Sequence, residues 1–163
     1  MKIIDIDIEA LIETISQEDD NLGKSFLDTY TGEVIYIPTE VSLALEKGTL
    51  KEDIFDNWLK EFVSVAILIS EDTVNRYLNT PLLDEDFYTS TMNKYVNSVA
   101  NDSDLKQELR KVLNGKEPIK KFKHVLMDKP NKTEEWYKYE DNCINEFART
   151  WLKSIGIELK YLN

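Results

Sequence analysis

The residues best able to do chemistry in this chain gather between Asn114 and Leu152. That stretch holds the one His (His124), the one Cys (Cys143), two of the three Trp and the densest run of lysines: Lys116, Lys120, Lys121, Lys123, Lys129 and Lys132. Clustered ammonium groups hold anions, and free backbone N–H groups at a helix start assist them. Pro118 suits the first turn of a helix with Ile119, Phe122, Val125 and Leu126 inward. On that helix Lys120, Lys121 and His124 point outward together, and Lys123 lies at the border with its stem along apolar surface. Lys116 stands near the helix start, where Pro118 removes one backbone donor. The plainer reading of this pattern is the solvated face of a surface helix; the sharper one is a site for an anion or an acidic partner. Tyr137 falls off the apolar stripe of the next helix and offers one ring for stacking, a small platform.

The remaining chemistry-bearing residues point away from catalysis. A histidine-based metal site or triad must use His124, and the chain contains no H-E-x-x-H, no Gly-rich phosphate loop and no G-x-S-x-G. A lone cysteine excludes an intrachain disulfide and a Cys-rich zinc site. Cys143 lies beside Ile144 and at helical spacing from Phe147, so it reads as partly buried core; as a nucleophile it needs a base, and His124 is distant in sequence. Asp84, Glu85 and Asp86 lack calcium-loop spacing and read as helix capping. Asp28 and Glu33 flank a hairpin turn and read as turn and edge polarity. The expectation is no catalytic residue, no metal site and no cofactor.

Charge is unevenly spread. The 163 residues carry a net −11. Residues 1–113 hold 10 Lys/Arg against 23 Asp/Glu, and residues 114–163 hold 10 against 8. An acidic body argues against general nucleic-acid affinity, because phosphate contacts supply most non-specific binding. The acidity itself reads as solubility, or more sharply as a surface offered to a basic partner. The length suits one domain, with enough core to need no disulfide or metal. Asp5, Asp7 and Glu9 argue against a signal peptide, and the apolar run Phe62–Ile69 is too short for a bilayer. The expected location is the cytoplasm, with no membrane partner.

The elements that must position these residues follow from periodicity. An alternating apolar start precedes a helix from about Ile8 to Ser16 with Asp7 as its cap. Glu18–Asn21 reads as a loop. Ser25–Tyr30 and Glu33–Ile37 read as a hairpin around Thr31-Gly32, stopped by Pro38. A short helix closed by Gly48 comes next. A longer helix follows from Thr49 or Lys51, with Ile54, Trp58, Phe62, Val65 and Ile69 on one face; Val63–Ile69 is β-branched enough for a buried strand, but the unbroken periodicity from Ile54 favours the helix. Thr73–Asn79 reads as a third strand. Beyond Pro81 come helices around Met92, Tyr95, Val96 and Val99, around Leu105, Leu109, Val112 and Leu113, and from Pro118. The last long helix opens at Thr133, with Trp136, Ile144, Phe147, Ala148, Trp151, Leu152 and Ile155 as its stripe. Ile157–Leu162 reads as a final strand. The fold class is α+β, with a small antiparallel sheet built on the N-terminal hairpin and packed against a mainly helical C-terminal part. One domain covers 1–163, its sheet-containing part about 1–81 and its helical part about 82–163.

Several of these segments carry a resemblance. Leu27-Asp28 with Thr31-Gly32-Glu33-Val34, then Arg76-Tyr77-Leu78-Asn79-Thr80-Pro81, Gly115-Lys116, Lys120-Lys121-Phe122-Lys123, Trp136-Tyr137-Lys138-Tyr139, Trp151-Leu152 and Gly156-Ile157 stand in the order of the bacterial UPF0158 family. The chain resembles that family over most of its length. It departs at Glu117-Pro118-Ile119, where the family pattern is Gly-Ala-Phe. The resemblance implies no activity, cofactor or substrate. The leading expectation is therefore a non-enzymatic binding or regulatory protein acting through protein–protein contacts. The alternatives are a small-ligand protein or enzyme in which Arg76, Tyr77, Lys120 and Lys123 converge on an anion, and nucleic-acid binding through residues 116–132.

Overall fold

The computed structural model describes residues 1–17, 23–51, 55–99 and 102–160. Glu18–Asn21, the helix start around Glu52–Ile54, Asn101 and the end of the last strand at Tyr161 and Leu162 lie outside the described residues. The architecture is α+β. The chain divides into two compact units: Met1–Leu82 together with Ala148–Asn163, and Leu83–Phe147. The helical stretch expected to run on from about residue 82 thus returns its last residues, from Ala148, to the first unit.

The first unit opens with β1 (Lys2–Ile4) and α1 (Ile8–Ile15), whose start is capped by the Asp7 carboxylate accepting from the Ala10 amide at 3.1 Å. Then come β2 (Gly23–Asp28), β3 (Val34–Pro38) and α2 (Thr39–Lys47), the last closed by Gly48 in the left-handed conformation. A 3-10 turn at Asn57–Leu59 leads into α3 (Lys60–Ser70), and β4 (Tyr77–Asn79) follows. The strands form an antiparallel sheet in the order β3–β2–β4, as the hairpin pattern requires.

Four local expectations change. Leu27 pairs with Val34, so the hairpin loop is longer than Thr31-Gly32 alone. It is closed by Asp28 N–H to Glu33 O at 2.9 Å and Gly32 N–H to Asp28 O at 2.7 Å. The third strand shrinks to Tyr77–Asn79, because Asn75 takes a positive φ of 57° and the Asp72 carboxylate accepts from the amides of Val74 and Tyr77. The most buried residues here are Leu59 of the 3-10 turn and Val63 and Ala66 of α3; of the expected face, Phe62, Val65 and Ile69 are half-buried and pack against the same core, while Trp58 is 60% exposed. Trp58 lies in the 3-10 turn before α3, outside the regular helical spacing from which its burial was expected. Finally, β5 (Ile157–Leu159) pairs parallel with β1, adding a second, two-stranded sheet to the expected antiparallel one. Burial of Ile4 and Ile157 drives this union of the two chain ends.

The second unit contains α4 (Glu85–Ser98), α5 (Ser103–Leu113), α6 (Pro118–Met127) and α7 (Pro130–Ser154) as far as Phe147. Asp84 and Asp102 cap α4 and α5 through the amides of Phe87 and Leu105. α7 starts at Pro130 rather than Thr133, since proline lacks only an N–H that a first turn leaves unpaired anyway. Thr133 instead donates its hydroxyl to the carbonyls of Leu126 and Lys129, tying α7 back to α6. Met92, Tyr95, Leu109, Phe122, Leu126 and Trp136 form the core of this unit.

Candidate functional site

α6 is built by a sharp division of its two faces. Phe122 and Leu126 are fully buried, and Ile119 and Val125 pack partly against the same cluster. The Phe122 ring meets Trp136 edge-on at 4.8 Å and Tyr95 at 6.2 Å, and Tyr95 meets Trp136 at 5.3 Å. Such edge-to-face pairs add about 1 kcal/mol each to area burial, so this helix is firmly seated. The Tyr95 hydroxyl lies 3.3 Å from the Lys132 carbonyl and 3.4 Å from the Glu135 carboxylate. Burial, then the Glu135 charge, pushes its pKa up to about 12. Trp136 is 1% exposed, and its indole N–H meets no acceptor among the described residues.

On the other face Lys120, Lys121, Lys123 and His124 are all exposed, as is Lys116 before the helix. Among the described residues Lys116, Lys120, Lys121 and Lys123 form no ion pair. The neighbouring lysines differ: Lys129 donates to the Val125 carbonyl at 3.3 Å, and Lys132 pairs with Glu135 at 3.4 Å. Tyr137 is 53% exposed on α7, one position from buried Trp136. Glu117, which precedes α6, takes a left-handed backbone with φ 50°. A glycine adopts that conformation without strain.

Cys143 is half-buried, and burial pushes its thiol pKa up, opposite to what an activated nucleophile requires. No cluster of three His, Cys, Asp or Glu side chains suited to a metal occurs among the described residues.

Arg76 belongs to the first unit and is engaged there. Its Nε and a terminal guanidinium nitrogen donate to the two Asp28 oxygens at 2.9 and 2.7 Å, a bidentate pair. Asp28 accepts from the Tyr30 amide at 2.9 Å, the expected turn role, but it is 3% exposed, so it is not edge polarity in solvent: it is a buried charge that requires Arg76. The Arg76 hydrogen bond is the main cause that holds the Asp28 carboxyl at about 2, below its ordinary 3.8. Tyr30 and Tyr77 place their rings 4.9 and 5.0 Å from the guanidinium, and the Lys2 ammonium lies 4.4 Å from the Tyr30 ring. Lys2 also donates to the Thr29 carbonyl at 2.8 Å. The Arg76 carbonyl in turn accepts from the Thr29 amide and hydroxyl. The sequence signal for this pair was an acidic residue inside an apolar strand pattern, but its partner lies 48 residues away.

A model of the family described as an uncharacterised protein family, UPF0158, matches residues 1–161. The chain belongs to the UPF0158 family. A UPF0158 protein of Pseudomonas aeruginosa is 36% identical over 50 residues, which make up 31% of this chain and 33% of that relative. The match thus spans about a third of the relative's length. No solved structure matches the chain. No helix among the described residues is long and apolar enough to cross a membrane.

The structure gives the UPF0158 motif residues in the first unit a physical reason. Asp28 and Arg76 are the bidentate pair, and Tyr77 lies against the guanidinium. Gly32 has φ 81°, and a Cβ there would lie 2.2 Å from the Asp5 carbonyl oxygen, so no other residue fits. These residues hold the hairpin against the chain start. In the second unit, Glu117, at the point where the chain departs from the expected Gly-Ala-Phe, has a positive φ of 50°, a backbone that glycine adopts without strain.

Proposed function

We propose that this protein is a non-enzymatic binding protein of the cytoplasm whose α6 lysine face docks an acidic segment of a partner protein. The observation that carries the reading is a set of exposed lysines with no ion-pair partner among the described residues, on a helix locked from behind by an aromatic core, in a protein of net charge −11. Exposed cations on a pre-positioned helix cost little ordering when they meet carboxylates. Protein is favoured over nucleic acid because the second unit as a whole holds 11 Lys/Arg against 13 Asp/Glu. A phosphate backbone needs a longer basic track than one helix face supplies. The raised Cys143 thiol and the engaged Arg76 support binding rather than catalysis, and a free thiol suits a reducing compartment.

Titration of the protein with a labelled oligoglutamate peptide, and separately with a single-stranded oligonucleotide of equal charge, tests this. The peptide should bind in low salt, weaken as salt rises, and be lost on Lys120→Glu/Lys121→Glu/Lys123→Glu. Tighter binding of the oligonucleotide than of the peptide, or peptide binding indifferent to the triple substitution, contradicts it.

A further inference from the structure

We infer that a groove between β3 and α3 seats a basic, extended segment of a partner protein, at a surface separate from α6 and resting on different residues. The groove has a volume of about 310 Å³, and its apolar lining includes Val34, Tyr36, Phe62 and Val65. Tyr36 and Phe62 form one wall, with rings perpendicular at 6.5 Å. On α3, Val63 and Ala66 are buried, while Phe62 and Val65 pack against the same core yet stay half-exposed and line the groove. Trp58, a turn earlier, is 60% exposed. Beside the polar face formed by Lys60, Glu61 and Ser64, the helix thus keeps apolar surface in solvent.

The shape and the charge select the occupant. β3 is the end strand of its sheet among the described residues, so the groove runs along a strand. Tyr36 is 40% exposed on this strand, open to a chain laid alongside it. Glu33 and Glu61, both exposed, stand at the groove, and neither forms an ion pair among the described residues. The first unit carries 18 Asp/Glu against 9 Lys/Arg, so its field attracts cations and repels acidic chains. An extended segment alternating apolar residues with Lys or Arg satisfies the apolar floor and the carboxylates together.

Selection from a random peptide library against the whole chain, followed by affinity measurement of the enriched peptides, tests the inference. Enrichment of peptides that alternate basic and apolar residues is expected. Their affinity should fall about tenfold in Glu33→Lys/Glu61→Lys, a change of exposed charges that leaves the fold intact by circular dichroism. It should be unchanged in the α6 triple variant, which separates this surface from the lysine face. Enrichment of acidic peptides, no enrichment, or equal affinity for the groove variant overturns the inference. So does self-association abolished by the groove substitutions, which would make a second copy of the chain the occupant.

Discussion

Two clusters of charge in this protein use similar chemistry to opposite ends. Around Arg76 the charges are satisfied: a bidentate carboxylate, two aromatic rings and a network that includes the Thr29 amide and hydroxyl. On α6 the charges are presented: Lys120, Lys121 and Lys123 stand in solvent without ion-pair partners among the described residues. The first arrangement stabilises a hairpin, because a buried carboxylate without its partner is costly. The second contributes little to stability, because exposed ammoniums are already well hydrated. Paired charge builds the fold here, and the charge on α6 stays in solvent.

Substitutions sharpen this contrast in order of effect. Arg76→Met leaves Asp28 buried without its counter-charge and should cost about 3 kcal/mol in chemical denaturation. A loss below about 1 kcal/mol, the range of a surface pair, would break the comparison. The same pair should appear as acid sensitivity. Asp28 is held at about 2 against an ordinary 3.8, so its contribution is complete above about pH 4 and disappears as pH falls toward about 2. The decline should amount to about 2 kcal/mol and be absent from Asp28→Asn, which is less stable at neutral pH. Stability profiles of the two proteins that run parallel through that window would refute the assignment. Glu117→Gly should raise stability by up to about 1 kcal/mol by relieving the left-handed strain before α6. An unchanged or lowered midpoint would show that Glu117 is not strained. The smallest effect belongs to the lysine face: Lys120→Glu/Lys121→Glu/Lys123→Glu should shift stability by no more than about 0.5 kcal/mol.

Local chemistry in the sequence was a good guide to helices and a poor one to distant partners. Asp7, Asp84 and Gly48 announced helix ends because capping is decided within four residues. The outward set on α6 followed from Phe122 and Leu126 alone. The β1–β5 pairing was not legible, since three-residue strands from opposite chain ends carry no local signal of each other. Asp28 was legible only in part: its turn bond to the Tyr30 amide is local, whereas its burial and its pairing depend on Arg76, 48 residues away. On the face expected for α3, Phe62, Val65 and Ile69 do meet the core, but Trp58 does not, because it sits in a 3-10 turn rather than in the helix. For the β1–β5 pair and for Asp28 the deciding interaction was tertiary.

The central claim is that the unpaired lysines of α6 exist for an acidic partner protein. Affinity capture from nuclease-treated native lysate, with wild-type and Lys120→Glu/Lys121→Glu/Lys123→Glu proteins compared by quantitative mass spectrometry, tests it most directly. The account predicts a protein with an acidic segment that is retained by the wild type, released by raised salt and missing from the triple variant. The same proteins captured equally by both would contradict it.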